Sequence, residues 1–215
     1  MRLRATLRPL VPHFLKCIYQ QRLLENLAPE PDALSCRSFV KAGDCVIDVG
    51  ANIGAYTKLL SGWVGPMGSV HSYEPIPETF SYLRNNVHKF GMGNVTIHNE
   101  AVSSHRGKAK MRVPNSNFYR AEISPDGNLA VELVRLDDEF ALSCRVAFIK
   151  CDAEYHEPEV IEGAIKLIER DYPAWLMETS SDAVVRRMAE LGYKATKLEH
   201  NWLFQQRETR QTKSR

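Results

Sequence analysis

Short apolar runs alternate with segments of helical periodicity along most of the chain. This alternation is typical of a mainly parallel sheet covered by helices on both faces. The predicted strands are Cys45 to Val49, Gly68 to Pro75, Asn94 to Val102, Arg145 to Glu154 and Ala174 to Thr179. The predicted helices are Ala55 to Val64, Pro77 to Phe90, Pro158 to Asp171 and Asp182 to Leu191. Two last runs, Tyr193 to Leu198 and Asn201 to Gln206, predict a closing hairpin.

Two segments depart from this alternation. Between Ser103 and Asp138 the pattern is weak, so we expect a long loop there and interpret it as a substrate lid, with an idle surface insertion as the alternative. Near the N-terminus, an amphipathic helix is predicted from His13 to Leu27. We expect its apolar residues to pack on the parent domain rather than on a membrane surface: Phe14, Leu15, Ile18, Tyr19, Leu23 and Leu27.

The composition is that of an ordinary globular protein, with 215 residues of which 44% are hydrophobic and 25% charged. It predicts a helical extension over residues 1–40, one domain over 41–206 and a basic, flexible tail over 207–215. The formal net charge of +2 gives no general attraction to nucleic acid, so we expect no such partner. We expect the arginines near both ends to lie in solvated termini: Arg2, Arg4 and Arg8 near the first residue, and Arg207, Arg210 and Arg215 near the last.

Five cysteines form an odd set without CxxC spacing, which favours buried thiols in a reducing cytosol over disulfides or a zinc site. Pro9 and Pro12 interrupt the apolar residues near the start, and no cleavage site follows them. We therefore expect no signal peptide and a cytoplasmic location.

The stretch VIDVGANIGAYT, Val46 to Thr57, places two glycines between a strand and a helix. Such a turn lets a ligand approach the backbone at the carboxyl edge of a parallel sheet, and Gly54 opens a helix whose N–H groups favour an anionic group. The third glycine of the dinucleotide fingerprint is missing, which disfavours a pyrophosphate ligand. Glu74 ends the next strand, where an acidic side chain accepts hydrogen bonds from ribose hydroxyls.

With these residues in place, the chain resembles the FkbM-type S-adenosylmethionine-dependent methyltransferases. Further matching blocks are SYEPIPETFSYLRNNV, NEAVSS, LDDEF, FIKCDAEYHEPEVIEGA and LMET, in the family's order and over roughly residues 40–180. The resemblance implies a class I methyltransferase fold, a seven-stranded mostly parallel sheet with an antiparallel last strand. It also implies S-adenosylmethionine as the cofactor and O-methylation of a small-molecule acceptor, a hydroxyl on a sugar, polyketide or similar metabolite.

The resemblance also assigns roles to single positions. The methionine half of the cofactor would be lined by Asp48, Gly50, Asn52 and Gly54. Glu74 would hold the ribose, and Asn99, Glu100 and Ala101 would edge the adenine. Asp152 and Glu154 match the acidic pair beside the transferable methyl group. The chain departs from the family at Tyr155 and His156, where glycine and a small or apolar residue are usual.

An alcohol is a poor nucleophile until its proton is removed, so methyl transfer to oxygen requires a base within hydrogen-bond reach. Asp152, Glu154 and His156 follow one strand and are the candidates. Mg²⁺ held by Asp152, Glu154 and Glu178 would be another route, but no spacing requires it and we predict no metal.

Three rival functions stay open: a nicotinamide-dependent oxidoreductase, a non-catalytic cofactor-binding module, and a protein or RNA methyltransferase. Neither the acceptor nor the oligomeric state follows from the sequence.

Overall fold

The computed structural model describes residues 12–114, 121–141 and 144–207. Its strands are β1 (Cys45–Val49), β2 (Ser69–Tyr73), β3 (Val95–His98), β4 (Ala101–Val102), β5 (Gly107–Arg112), β6 (Glu122–Ile123), β7 (Leu129–Val134), β8 (Val146–Cys151), β9 (Ala174–Met177), β10 (Tyr193–Lys197) and β11 (Trp202–Gln206). Its α-helices are α1 (His13–Asn26), α2 (Pro31–Ser35), α3 (Ala55–Val64), α4 (Pro77–Lys89), α5 (Leu136–Glu139), α6 (Glu157–Glu162), α7 (Ile165–Asp171) and α8 (Asp182–Glu190).

The larger sheet contains seven strands in the order β10-β11-β9-β8-β1-β2-β3. Strands β9, β8, β1, β2 and β3 each pair in parallel with the next strand in this order. Strand β11 runs antiparallel to both of its neighbours, β9 and β10. This arrangement confirms the predicted fold, including the antiparallel last strand and the closing hairpin. Strand order reverses direction at β1, so the loops after β1, β2 and β8 meet at one edge of the sheet.

The core lies on both faces of this sheet because its central strands are buried on both sides. β1 is buried along its whole length. One face packs Ile47 and its neighbours against α6, α7 and α8, and the other packs Val46 and its neighbours against α3. The near-continuous apolar runs of the central strands follow from this two-sided burial.

A second, four-stranded sheet in the order β4-β7-β5-β6 occupies most of the segment that the sequence predicted as a loop. That prediction is wrong for the described residues, because β5 and β7 pair over five positions. The predicted strand from Asn94 to Val102 is also divided, with β3 in the larger sheet and β4 in the smaller one. Residues 115–120, within the proposed lid, lie outside the described residues.

Helix α1 packs on the domain, as predicted, and contacts α4, but through a different face from the expected one. The buried residues of α1 are Cys17, Gln20 and Leu24. Four of the apolar residues expected to face the domain are instead exposed in α1, and Leu27 beyond its end is exposed too: Phe14, Leu15, Ile18, Tyr19 and Leu27. Polar contacts help to set the observed face, including an ion pair of 3.1 Å between Lys16 and Glu78. No helix in the described part of the chain combines the length and apolarity needed to cross a membrane.

The single helix predicted from Pro158 to Asp171 is two helices, α6 and α7, separated at Gly163 and Ala164. A Cβ atom at Gly163 would lie 2.0 Å from the carbonyl oxygen of Ser103, so a side chain is sterically excluded there. The chain bends where it passes the loop after β4.

The cysteine prediction is correct for four positions and wrong for one. All five thiols are free, and Cys17, Cys36, Cys45 and Cys151 are buried, but Cys144 is exposed. The terminal basic residues Arg2, Arg4, Arg8 and most of the tail, from residue 208, lie outside the described residues.

Candidate active site

A cleft lies at the carboxyl ends of β1, β2 and β8, where the strand order reverses. Its empty volume is about 670 Å³, open mouth included. The larger sheet contributes Val49, Gly50, Asn52, Tyr73, Glu74, Asp152, Ala153, Glu154 and His156 to the lining. The smaller sheet and its connection contribute Glu100, Ala101, Val102, Met111, Ala121 and Ile123. The cleft is therefore polar on one side and largely apolar on the other; we call it the first cavity.

The glycine turn forms one edge of the first cavity. Gly50 has a φ angle of 75°, and a Cβ atom there would lie 1.9 Å from the carbonyl oxygen of Asp152. The backbone just after β8 therefore excludes a side chain at Gly50, which adds a second reason for glycine to the expected approach of a ligand. Gly54 does not line the cavity; its φ angle is 96°, and a Cβ there would be 2.9 Å from the Leu83 side chain.

Glu74 lies buried at the end of β2 with its carboxylate in the first cavity. The backbone N–H of Asn52 donates to one carboxylate oxygen and that of Ile76 to the other, both at 2.9 Å. Burial raises the pKa of Glu74 to about 7, although these two hydrogen bonds lower it. The carboxylate is therefore fixed in place and titrates near neutral pH.

The segment after β3 contributes two of its three predicted residues to the lining. Glu100 and Ala101 face the first cavity, whereas Asn99 does not line it. The Asn99 amide donates to the carbonyl oxygens of Glu74 and Pro75, at 2.9 and 3.1 Å. Asn99 thus holds the loop that carries Glu74.

Asp48 is fully buried below the cavity and does not line it. The Thr57 hydroxyl donates to its Oδ2 at 2.6 Å. Its Oδ1 has no hydrogen-bond partner among the described residues. Burial raises the pKa of Asp48, and the ammonium group of Lys150 lowers it.

Asp152 follows β8 and lines the first cavity with a half-buried side chain. Its Oδ2 accepts a hydrogen bond of 3.2 Å from Nζ of Lys150, a buried residue two positions earlier in β8. Burial lowers the pKa of Lys150, but the carboxylates of Asp152 and Asp48 raise it, and the net shift is upward. The charge of Asp152 is therefore compensated from inside the sheet.

Glu154 and Tyr155 continue the chain in left-handed conformations, with φ angles of 45° and 71°. Glycine adopts this conformation without cost, whereas other residues are strained in it. The Tyr155 side chain is 76% exposed. The left-handed backbone at Tyr155 explains why glycine is usual there in the family. The Tyr155 side chain does not line the first cavity and leaves it open.

His156 precedes α6 and lines the first cavity, but both of its ring nitrogens are engaged. Nε2 is 3.0 Å from the Ser103 hydroxyl, and Nδ1 is 3.4 Å from a Glu159 carboxylate oxygen. Burial lowers the pKa of His156, although Glu159 raises it. The imidazole joins the loop after β4 to α6.

A second cavity lies on the other side of the Asp152–Glu154 segment, with an empty volume of about 630 Å³, open mouth included. Four carboxylate residues and five others line it: Asp152, Glu154, Glu157, Glu178, Tyr155, Thr179, Ser180, Lys197 and His200. Asp152 and Glu154 line both cavities and form their shared wall. Burial and Asp152 raise the pKa of Glu178.

No group of three or more metal-binding side chains is close enough to hold an ion within the part of the chain that the structure describes. In particular, Asp152, Glu154 and Glu178 do not form such a group.

The chemistry of the first cavity fits S-adenosylmethionine. Glu74 is a buried, pre-positioned acceptor for ribose hydroxyls, and the Met111, Ala121 and Ile123 side chains offer an apolar wall to a flat base. Gly50 and Asn52 would hold the methionine part, and the carboxylates of Asp152 and Glu154 suit a neighbouring sulfonium charge. Asp48, Gly54 and Asn99 would act indirectly, by shaping the loops.

Sequence reasoning missed two features of this region. Lys150 is a lysine inside the apolar run VAFIKC, and that position was a signal that it requires a buried partner. The apolar wall from β5 and β6 lies in a segment of weak periodicity, so its place against the cavity had no comparable signal.

Comparison with known proteins agrees with this arrangement. The sequence pattern of the methyltransferase FkbM domain matches residues 48–195. A protein-L-isoaspartate O-methyltransferase from Aeropyrum pernix is 38% identical over 74 residues, which are 34% of this chain and 24% of that protein.

Solved structures share the fold. Methyltransferase FkbM from Methylobacillus flagellatus KT is similar with a TM-score of 0.58 and 15% identity, over 89% of this chain and 59% of that one. An S-adenosylmethionine-dependent O-methyltransferase from Thermotoga maritima has a TM-score of 0.51 and 14% identity, over 89% of this chain and 72% of that one. An rRNA methylase from Streptococcus thermophilus has a TM-score of 0.52 and 11% identity, over 84% of this chain and 99% of that one. The chain thus spans a quarter of the curated relative and three fifths of the Methylobacillus protein.

Proposed function

Because this chain belongs to the FkbM family of methyltransferases, we propose that it transfers the methyl group of S-adenosylmethionine to a hydroxyl group of a small-molecule acceptor. S-adenosylmethionine is the family's cofactor, and the lining of the first cavity fits it. The observation that carries the proposal is the shared wall, since Asp152 and Glu154 line both the first and the second cavity. A donor in one cavity and an acceptor in the other would meet at these carboxylates.

The bound cofactor would supply an electrophilic methyl group on a readily departing sulfur. The chain's own residues have to align the acceptor oxygen and receive its proton. Asp152 is the first candidate for both tasks, because its carboxylate is held at the wall by Lys150. Glu154 lies beside it, and His156 supports the wall through Ser103 and Glu159.

The lining of the second cavity supports a small acceptor with hydroxyl groups, such as a sugar or polyketide. Its four carboxylate residues accept hydrogen bonds from hydroxyls and repel the phosphates of a nucleic acid. Tyr155 lines the second cavity with an exposed side chain, where it can contact the acceptor. The buried free thiols support a reducing compartment, and we extend the proposal to the cytoplasm.

The test is transfer of an isotopically labelled methyl group. The full chain is incubated with labelled S-adenosylmethionine and a fractionated metabolite extract, and labelled products are characterised by NMR, which distinguishes methyl groups on oxygen, nitrogen and carbon. We expect the label on oxygen in a small molecule, and much less of it with Glu74→Ala at a limiting concentration of the cofactor. Label found only in RNA or protein, or in no fraction, would contradict the proposal.

A further inference from the structure

Lys150 is a buried cation for which the fold alone gives no reason. It lies in β8 between apolar neighbours and is 4% exposed. A buried ammonium group is costly unless it is paired, and an apolar residue of similar size would fill a core position as well. The partners of this lysine therefore indicate what it does.

Two carboxylates flank Lys150. Nζ is 3.2 Å from Oδ2 of Asp152, and Asp48 lies opposite Lys150 in the register of β1 and β8. Oδ1 of Asp48 has no hydrogen-bond partner within the described ranges. One ammonium group thus interacts both with Asp48, which is buried outside the lining, and with Asp152 in the wall shared by the two cavities.

Further contacts of Lys150 within the described ranges are to an aromatic ring and to acidic groups. Nζ lies 5.0 Å from the centre of the Tyr56 ring on α3, and the Tyr56 hydroxyl donates to Glu30 at 2.8 Å. Glu178, after β9, and Cys151, beside Lys150, also interact with it electrostatically. Every charged group named here apart from Lys150 is acidic, so removal of the lysine leaves Asp152 among carboxylates.

We propose that Lys150 is a positioning residue for methyl transfer, which pairs with the Asp152 carboxylate and orients it at the wall shared by the two cavities. This inference rests on the proposed function, because it assigns Asp152 the acceptor proton. Lys150 itself lines neither cavity, so it acts through Asp152 and does not touch the reactants. Only Oδ2 accepts from Lys150, which leaves the other oxygen for the acceptor hydroxyl.

The test follows the titration of Asp152 itself and needs no known acceptor. The carboxyl carbon of Asp152 is observed by NMR across acidic and neutral pH in the full chain and assigned with Asp152→Asn. In Lys150→Met the titration midpoint should rise by about one pH unit or more, because the carboxylate loses its counter-ion. Lys150→Arg keeps the charge and should restore most of the wild-type midpoint.

Lys150→Met leaves the carboxylates of Asp48 and Asp152 without this counter-ion, which could prevent folding. A second variant therefore also removes the charge of Asp48. Lys150→Met with Asp48→Asn is compared with Asp48→Asn alone, and the midpoint of Asp152 should again rise. An unchanged midpoint in both comparisons would overturn the inference, even in a protein that methylates. Failure of the wild type to transfer labelled methyl would instead overturn the proposed function, whatever the midpoint shows.

Discussion

Glu74 makes cofactor binding dependent on pH. Its ionised carboxylate accepts hydrogen bonds from ribose hydroxyls, whereas the protonated form has less capacity to accept, and burial raises its pKa to about 7. The affinity for S-adenosylhomocysteine should therefore fall as the pH drops from 8 to 5, by up to about tenfold per unit below pH 7. Calorimetry over this range measures the dependence.

Glu74→Gln should bind about 10-fold to 100-fold more weakly at pH 8, since it loses charge-assisted hydrogen bonds, and should lose most of the pH dependence. Glu132→Gln is the matched control, because Glu132 is exposed and pairs with Lys108 outside the cavity. A pH dependence that persists unchanged in Glu74→Gln would show that another group is responsible.

Tyr155 carries backbone strain that glycine would relieve. Its φ angle of 71° lies in the left-handed region, which costs a non-glycine residue about 1 kcal/mol or more, while glycine loses about 0.5–1 kcal/mol through the flexibility of the unfolded chain. Tyr155→Gly should therefore be between neutral and about 1 kcal/mol more stable in urea unfolding. Tyr155→Ala keeps the Cβ atom and should show no such gain. Equal stabilities for the two variants would show that strain does not explain the family's glycine.

At the residue scale, the sequence predicted where the site residues lie better than it predicted why each residue type is needed there. Glu74 and Asp152 directly follow strands β2 and β8, which the sequence predicted, so their place at the sheet edge followed from the pattern. Gly50 was expected at a turn that a ligand approaches, but a side chain there is also excluded by the Asp152 carbonyl, which follows a strand about a hundred residues later in the chain. Contacts of that range leave no local signal in a single sequence.

At the element scale, Asp32 ties α2 to the hairpin of β10 and β11. Its buried carboxylate accepts backbone hydrogen bonds from Glu199, His200 and Asn201, at 2.8 to 3.0 Å. Asp32→Ala should lower the free energy of unfolding by about 2–4 kcal/mol, because three backbone donors lose a charged acceptor. Glu25→Ala, at an exposed position on α1, should stay within about 0.5 kcal/mol of wild type. Urea unfolding measures both, and equal effects would contradict this role of Asp32.

Elements with strong periodicity were predicted well and weak ones were not. The central strands β1, β8 and β9 are almost entirely buried on both faces, so their apolar runs stand out in the sequence. β5 is mostly exposed, with only Met111 buried, so its sequence GKAKMR has little alternation. Helix α1 has apolar residues on both faces, and its packed face depends on contacts with α4 that periodicity does not reveal.

For the whole molecule, the half-buried His98 makes stability depend on pH. His98 stacks on Tyr73 at 4.3 Å, and burial lowers its pKa from the ordinary value of 6.5. Below pH 6.5 the unfolded chain binds this proton before the folded chain does, so the stability that neutral His98 provides is lost as the pH falls.

To isolate this effect, the free energy of unfolding in urea is measured for wild type and for His98→Gln at several pH values. Their difference in unfolding free energy should narrow between pH 7.5 and 5, by less than about 1 kcal/mol because His98 keeps some solvent contact. The carboxyl groups with raised pKa values act in the opposite direction, but they are common to both proteins and cancel. A difference that stays constant with pH would contradict the assignment.

The central claim is that methyl transfer takes place at the Asp152 wall between the two cavities, and Asp152→Asn tests it most directly. With the labelled cofactor and the acceptor fraction, this variant should transfer methyl about 100-fold more slowly or worse, while binding S-adenosylhomocysteine within a few-fold of wild type. Asp126→Asn, at an exposed position, should match wild type in both measurements. A transfer rate in Asp152→Asn equal to that of wild type would contradict the claim and place the reaction elsewhere.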